Sequence, residues 1–362
     1  MSKAHIIGWD VGGAHLKAAL LDADGRLLQV LQMPCALWRG LSELEMAIDE
    51  ILKQFLVSNV IHAITMTGEL VDLFTNRQEG VNAISRVMHS KLVGHKLFYA
   101  GALNANFAGF VEFDTVKLHW QYLASANWLA SAVFVAQHIE NGLLIDIGST
   151  TSDFVLIENQ APLCLGLTDA ARMQTEELVY TGVIRTPLMA VAQKIHYGNT
   201  MTSVAAEYFA TTADVYRLIG ELNAEDDMAD TADGKDKTIQ ASAQRVARMI
   251  GHDVNDAAMD TWLALAQAFK QQQFSRLQEV ASKHLARINE GVNVTIIAAG
   301  AGSFLARELA NNLNVPCLEI ADLLHAAQPT FSTKSLDHWA NVCLPAYAVA
   351  RLASKNKNTI SI

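Results

Sequence analysis

Two short stretches of the chain combine an aspartate, a glycine and small polar residues between apolar runs. The first, IIGWDVGGAHLKAALLD at residues 6–22, and the second, LLIDIGSTTSDFVLI at residues 143–157, each read as two strands joined by a polar tip. Such a pattern predicts a β-hairpin whose tip exposes N–H groups and hydroxyls that can hold an anion. The tip residues in question are Gly12, Gly13, Gly148, Ser149, Thr150 and Thr151.

The charged residues of the two stretches lie at matching positions. Asp10 of the first corresponds to Asp146 of the second, and Lys17 corresponds to Asp153. Carboxylates suit a hydrated Mg²⁺, which keeps several waters and takes one or two protein ligands, and a lysine adds a point charge for phosphate. Each stretch alone is also compatible with an ordinary turn, because Asp and Gly favour turns.

A third stretch, VNVTIIAAGAGSFLARELANNL at residues 292–313, predicts a buried strand, a loop and an amphipathic helix. The loop carries Gly300, Gly302 and Ser303, and free N–H groups at a helix start attract phosphate or ribose oxygens. Tight packing between strand and helix explains the same glycines equally well.

The order of these three elements resembles the actin, Hsp70 and sugar-kinase superfamily, with its two phosphate hairpins and its adenosine loop. The resemblance implies a two-lobed, ribonuclease H-like α/β fold with a cleft in which Asp10 and Asp146 meet at one Mg²⁺. The repeat of the hairpin places residues 1–141 and 335–362 in the first lobe and residues 142–334 in the second. ATP binding stays open, and Asp10, Lys17, Asp146 and Asp153 are the catalytic candidates.

Four further segments supply candidates for substrate binding. They are ITMTGELVDLF at 64–74, ASANWLASA at 124–132, ELVYTGVIRTPL at 177–188 and TADGKDKT at 231–238. The candidates are Glu69, Asn127, Arg185, Thr186, Asp233 and Lys235. Structural interpretations compete with these functional ones. Glu69 also fits a turn cap, Arg185 fits a surface arginine, and the acidic stretch 221–237 fits a solvated linker as well as a lid.

These segments resemble the hydantoinase/oxoprolinase-related proteins that accompany tetrahydromethanopterin-linked one-carbon metabolism, a branch that includes condensing enzymes of methanofuran and methylofuran biosynthesis. The resemblance implies a transferase that joins an aminomethyl-furanylmethyl diphosphate to the phenol oxygen of a γ-glutamyltyramine-type acceptor and releases diphosphate. An ATP-dependent kinase or amidohydrolase is the first alternative, and a non-catalytic nucleotide-binding regulator is the second. The phenol needs a base, and the sequence does not identify which residue serves.

Composition narrows the class of partner. A net charge of -10 and a pI of about 5.6 argue against nucleic acid and anionic membranes, so small molecules are the expected partners. Four cysteines without paired spacing, and no leader or spanning segment, favour a cytoplasmic protein. Whether the chain forms a homodimer stays open.

The pattern of apolar residues also predicts individual elements. Strands are expected around Gln29, Ile64 and Tyr99, and helices over 116–137, 262–288 and 336–352. Gly251 and Asp253 resemble part of a sugar-kinase base motif, but we interpret them as the caps of two successive helices.

Overall fold

The computed structural model describes residues 4–289, 291–324 and 336–356. The strands are β1 His5–Val11, β2 His15–Leu21, β3 Leu27–Pro34, β4 Val60–Met66, β5 His95–Tyr99, β6 Phe110–Val111, β7 Gly142–Ile147, β8 Ser152–Glu158, β9 Ala161–Pro162, β10 Leu178–Val179, β11 Lys194–Tyr197, β12 Thr200–Ser203, β13 Thr295–Ala299 and β14 Cys317–Glu319. The helices are α1 Leu41–Gln54, α2 Arg77–Lys91, α3 Val116–Leu123, α4 Asn127–Ala136, α5 Asp169–Thr175, α6 Leu188–Val191, α7 Thr212–Leu218, α8 Ile239–Arg248, α9 Met259–Leu285, α10 Ser303–Leu313, α11 Ile320–Leu323, α12 Leu336–Val342 and α13 Leu344–Asn356.

The chain forms two compact units. The first comprises residues 1–141, 157–171 and 319–362, and the second comprises 142–156 and 172–318. The predicted second lobe ran from 142 to 334, so the structure assigns two further segments to the first unit. The reason is packing, because β9 lies against α4 and α11 lies against α12.

The first unit is built on a six-stranded sheet in the order β3-β2-β1-β4-β5-β6. The predicted strands around Gln29, Ile64 and Tyr99 are confirmed as β3, β4 and β5. One face packs on α1 and α2 around residues such as Trp9 and Ile48, while α13 covers β1, β2 and β4 on the other. Successive side chains of β1 therefore pack against the helices on opposite faces of the sheet.

The second unit repeats the central part of that arrangement. Its sheet has the order β10-β8-β7-β13-β14, with β9 paired to β8. In each sheet an antiparallel hairpin, β1–β2 or β7–β8, lies beside a parallel strand, β4 or β13. The α9 and α10 helices pack on this sheet, and α6 to α9 enclose a separate core around Trp262. The duplicated hairpin predicted from sequence is confirmed at the level of strand pairing.

Two predicted helices are each divided in the structure. The helix predicted over 116–137 breaks after α3, because Ser125 adopts a left-handed backbone with φ of 50°. The terminal helix predicted over 336–352 breaks between α12 and α13, where Pro345 lies in the first turn of the second helix. Proline is tolerated there because those N–H groups have no partner within the helix.

Two other expectations are confirmed. The long apolar stretch from Trp262 forms α9, and Gly251 and Asp253 cap successive elements. Gly251 has φ of 76°, and Asp253 begins the next turn in a reciprocal capping box with Asp256. Within the described part of the chain, none of the helices combines the length and apolar character needed to cross a membrane.

Candidate functional site

The first hairpin places Asp10 and Lys17 directly opposite each other on β1 and β2. Directly opposed residues of an antiparallel pair share a face of the sheet. Lys17 Nζ donates to the carbonyl of Val342 at 2.9 Å, at the end of α12, where a cation is favourable. Asp10 is buried, and Asn127 Nδ2 lies 3.4 Å from its Oδ1. Lys17 is thus engaged at a helix end here, and its contact with phosphate stays a prediction.

The two hairpin tips have the same hydrogen bonding. Gly12 N–H donates to His15 O at 3.0 Å, and Gly148 N–H donates to Thr151 O at 2.8 Å. The carbonyl of the next residue accepts a bond from a distant segment in both cases. Gly13 O accepts from Leu37 N–H at 3.1 Å, and Ser149 O accepts from the N–H groups of Ile184 and Arg185 at 3.1 and 2.9 Å. The tips are therefore fixed in shape by the chain that closes over them.

Segment 181–186 forms a rigid loop against the second tip. A Cβ added to Gly182 would lie 2.5 Å from Ser149 C and O and 2.6 Å from Gly148 O, so only glycine fits there. Gln273 donates to Thr181 Oγ1 at 2.8 Å and to Gly182 O at 2.9 Å, and Thr212 also donates to Gly182 O at 2.9 Å. These long-range bonds hold the loop in one position.

Arg185 and Thr186 lie at the end of this loop. Thr186 Oγ1 accepts from Gly182 N–H at 2.8 Å, so its hydroxyl serves the loop itself. The Arg185 side chain is exposed, and its charge acts on the pKa of nearby Tyr208, which burial raises and Arg185 lowers. Beside the loop, the Ser149 hydroxyl is buried and has no hydrogen-bond partner among the described residues. The structure thus brings Ser149 and the backbone of Arg185 together.

The loop predicted to bind adenosine lies beside Asp146. Asp146 on β7 is in register with Ala299 on β13, immediately before Gly300. Gly300 has φ of 84°, and a Cβ there would lie 2.4 Å from both Asp146 Oδ1 and Ile147 O. Gly302 N–H donates to Ile147 O at 2.8 Å, and Ser303 begins α10. The loop is brought against the second hairpin, and packing accounts for its glycines.

Asp153 is held by a buried arginine. Arg172 Nη1 lies 2.8 Å from Asp153 Oδ1, and Arg172 Nη2 donates to Glu177 O at 2.9 Å. Because Arg172 is 1% exposed, this ion pair lies largely out of water. Asp153 therefore neutralises Arg172 in the structure, and its catalytic role stays a prediction.

Asp233 and Lys235 lie in the acidic stretch proposed as a lid. Asp233 Oδ1 accepts from the buried Arg245 Nη1 at 3.0 Å, and Lys235 is exposed. Arg245 also binds Asp214 at 2.8 Å, while Arg217 binds both Asp214 and Asp227. Asp227 is buried rather than solvated. Several buried charges therefore tie this stretch to the helical part of the second unit.

Glu69 belongs to a cluster of polar side chains within the first unit. It lies in a short 3-10 turn, Gly68–Leu70, directly after β4. Ser125 Oγ lies 2.8 Å from Glu69 Oε1 and 3.0 Å from Asp169 Oδ2, and Arg77 Nη2 donates to Asp169 Oδ2 at 2.7 Å. We call Glu69, Ser125, Asp169 and Arg77 the Glu69 cluster. Burial raises the pKa of Glu69 to about 7, against the opposing effects of Ser125 and Arg77.

Few other potential metal ligands accompany the hairpin carboxylates in the part of the chain that the structure describes. Among the described residues, no group of three or more His, Cys, Asp or Glu side chains is arranged to hold a metal. Asp10 lies in register with Thr65 on β4, whose hydroxyl is buried and unpartnered within the same described residues. One carboxylate and one hydroxyl suit a hydrated Mg²⁺, whereas they do not suit a zinc site.

Several residues of the site were not predicted. Gly182, Gln273 and Thr212 fix the loop at the second hairpin, and Ser125 and Asp169 complete the Glu69 cluster. Ser125 and Gly182 both lie within segments that were selected from the sequence. Their closeness in sequence to Asn127 and Arg185 was the signal that could have identified them. Gln273 and Asp169 carry no such local signal.

Comparison with known proteins identifies the family of the chain. A family model described as hydantoinase/oxoprolinase matches residues 61–327, and the chain belongs to this family. The same actin-like α/β fold is found in a nucleotide-free structure of acetone carboxylase, with a TM-score of 0.52 and 10% identity, over 97% of this chain and 70% of that one.

Two curated relatives share one name and differ in how much of the chain they cover. A Methanocaldococcus jannaschii protein named (4-{4-[2-(gamma-L-glutamylamino)ethyl]phenoxymethyl}furan-2-yl)methanamine synthase is 27% identical over 355 residues, which cover 98% of each chain. A Methanococcus vannielii protein with the same name is 29% identical over 185 residues, covering 50% of this chain and 81% of that relative. The resemblance predicted from sequence is confirmed.

Proposed function

We propose that the protein is a transferase of methanofuran-type cofactor biosynthesis. It joins an aminomethyl-furanylmethyl diphosphate to the phenol oxygen of a γ-glutamyltyramine-type acceptor and releases diphosphate. The observation that carries this proposal is the similarity to the Methanocaldococcus jannaschii synthase over 98% of both chains. The product named for that relative contains the aryl ether that this reaction would form.

In this reaction the main catalytic task of the protein is to stabilise the leaving diphosphate anion. The furan oxygen delocalises the positive charge that develops on the reacting carbon into the ring, so the carbon–oxygen bond to diphosphate ionises readily. Backbone donors aimed at developing negative charge are an effective way to lower such a barrier. The tips at Gly12–Gly13 and Gly148–Ser149 have fixed shapes, and the orphaned Ser149 hydroxyl offers a further donor.

The acceptor end is assigned to Arg185. Its guanidinium is exposed, while its backbone is held to Ser149. A planar guanidinium on a fixed backbone suits a carboxylate in bidentate geometry. The glutamyl carboxylate of the acceptor is the anion of that class, and Tyr208 lies near enough for Arg185 to influence its pKa.

Mg²⁺ is the proposed cofactor, since each hairpin offers one carboxylate. Asp10 has the Thr65 hydroxyl beside it, and Asp146 lies half-buried at the end of β7. When bound, the cation would neutralise charge on the diphosphate. Asn127 holds Asp10 from the start of α4, so the carboxylate is oriented by the protein's own amide.

A second candidate function is an ATP-dependent kinase or amidohydrolase. Membership of the hydantoinase/oxoprolinase family favours it, together with the Gly300–Ser303 loop at the start of α10. The preferred reaction does not require ATP. We therefore treat ATP use as the property that separates the two candidates.

The test is incubation of purified protein with the furanylmethyl diphosphate, γ-glutamyltyramine and Mg²⁺, without ATP. The proposal expects the aryl ether and diphosphate in equal amounts by mass spectrometry and a phosphate assay. Absence of both products, with ATP hydrolysis stimulated by a carboxylate, a sugar or a cyclic amide, would instead support the second candidate. Heat-inactivated protein is the control for spontaneous ionisation of the donor.

A further inference from the structure

In the Glu69 cluster, Ser125 contacts two carboxyl groups but carries a single hydroxyl hydrogen. Both contacts are hydrogen bonds only if one of the two carboxyl groups is protonated. Ser125 Oγ lies 2.8 Å from Glu69 Oε1 and 3.0 Å from Asp169 Oδ2. A hydroxyl has a single hydrogen, so it donates to only one of these oxygens. The other oxygen must supply its own hydrogen for the contact to be attractive. The geometry therefore places a proton on one of the two carboxyl groups.

The neighbours decide which carboxyl group holds that proton. Asp169 Oδ2 forms an ion pair with Arg77 at 2.7 Å, so the guanidinium compensates the charge of this carboxylate. Glu69 is 1% exposed, and burial favours the neutral form of a carboxyl group. The hydrogen bonds then run from Glu69 to Ser125 and from Ser125 to Asp169, which Arg77 neutralises.

The second oxygen of Glu69 differs from the first in its hydrogen bonding. Glu69 Oε2 is buried and has no hydrogen-bond partner among the residues the structure describes. Leaving a buried acceptor unpaired destabilises the fold, so such atoms usually have a purpose or an absent partner.

The position of the cluster is that of a binding site. Glu69 lies in the turn after β4, and a Cβ on its neighbour Gly68 would lie 3.1 Å from Gly12 O at the first hairpin tip. Ser125 is two residues from Asn127, which contacts Asp10. Ligands of open α/β sheets bind beside the carboxyl ends of the strands, and both β1 and β4 have their carboxyl ends at this position.

We propose that Glu69 is the general base of the transfer reaction, an inference that rests on the proposed function. As the phenol oxygen forms its bond to the furanylmethyl carbon, the bond from that carbon to the diphosphate oxygen breaks, and its electron pair leaves with diphosphate. Glu69 first releases its resting proton to water; its ionised carboxylate then takes the phenol proton at Oε2 and passes that proton to water before the next turnover. Ser125 and Asp169 are positioning residues.

The surroundings suit Glu69 to this work at neutral pH. A base is most effective when its pKa lies near the working pH, whereas a free phenol has a pKa of about 10. Burial raises the pKa of Glu69 to about 7; the charge of Arg77 on α2 lowers it and that of Asp169 at the start of α5 raises it. Turnover should therefore rise with pH and level off above about 7.

The first test is kinetic and uses Glu69→Gln, whose amide keeps the size and the contact with Ser125. We expect kcat to fall roughly 100-fold or more and the rise of kcat/KM near pH 7 to disappear. Glu45→Gln, an exposed change on α1, is the matched control and should keep wild-type constants. Wild-type kcat and an unchanged pH profile for Glu69→Gln would overturn the inference. So would a higher KM for the amine-bearing donor alone, since Glu69 would then bind its ammonium group.

The second test does not depend on the reaction. Wild-type protein labelled with ¹³C at glutamate carboxyl groups should show one carbon that titrates near pH 7, and Glu69→Gln should lack it. If every glutamate titrates near its ordinary pKa, Glu69 holds no proton and the inference fails. If wild-type protein shows this carbon but forms no ether, the proposed function fails instead.

Discussion

The proton held at Glu69 makes the stability of the protein depend on pH in a definite direction. In the folded state burial raises the pKa of Glu69 from 4.5 to about 7. Between these values the folded chain keeps a proton that the unfolded chain has lost. Stability gained from that proton is complete below pH 4.5 and declines as the pH rises toward about 7.

The size of the effect follows from the shift. One pK unit corresponds to about 1.4 kcal/mol, so wild-type protein should lose about 2 kcal/mol of unfolding free energy through Glu69 between pH 5 and pH 7. Glu69→Gln carries no such proton. Relative to wild type, the variant should therefore gain about 2 kcal/mol over the same range.

His62 provides a control of opposite sign. It is 2% exposed, its Nδ1 accepts from Trp9 Nε1 at 3.1 Å, and its Nε2 lies 3.1 Å from Val93 O. Burial lowers the pKa of His62 from 6.5 to about 4, so its stabilising contribution is present above pH 6.5 and is lost as the pH falls toward 4. Relative to wild type, His62→Gln should lose about 2 kcal/mol between pH 5 and pH 7.

The assay is urea unfolding at pH 5, 6 and 7, followed by tryptophan fluorescence. Trp262 is the one tryptophan of the second unit, so the signal mainly reports the first unit, which holds both Glu69 and His62. Slopes of the same sign for the two variants, or a difference between Glu69→Gln and wild type that does not vary with pH, would refute the protonation of Glu69.

Three further predictions concern packing, the metal and the substrates. Gly182→Ala should lower the unfolding free energy by about 1–3 kcal/mol through overpacking, beyond the effect of Gly148→Ala, whose added Cβ would meet only Thr151 O at 3.4 Å; equal effects in urea unfolding would contradict the close contact. Asp146→Asn should reduce kcat at least tenfold at saturating Mg²⁺ with an unchanged melting temperature, and wild-type kinetics would exclude a metal role. Arg185→Ala should raise KM for the acceptor, whereas Lys17→Ala should lower kcat; unchanged constants, measured with each substrate varied, would remove these residues from the site.

The parts of the fold that sequence predicted are those with local signals. Both hairpins are marked by apolar runs around Asp and Gly, and the pairing of Asp10 with Lys17 follows from the length of the tip. The break at Ser125 gave no warning, because a left-handed serine is set by its contacts and not by its neighbours in sequence. Two helices therefore replaced the one expected.

Individual residues of the site were predictable from the sequence, but their arrangement in space was not. Glu69 was selected from its segment, yet Ser125 is 56 residues away and binds Asp169 across a further 44. Asp233 was selected from a turn-rich stretch, and only the structure shows that the buried Arg245 holds it. Such pairings depend on how helices pack, which a single sequence does not encode locally.

The central claim is that the phenol oxygen displaces diphosphate from carbon, and isotope transfer tests it most directly. The measurement uses an acceptor carrying ¹⁸O in its phenol group, with the furanylmethyl diphosphate and Mg²⁺ but no ATP, and mass spectrometry of the products. The account predicts that the ether contains all of the ¹⁸O and that the released diphosphate contains none. Ether formed only when ATP is added, or ¹⁸O found in phosphate, would contradict it.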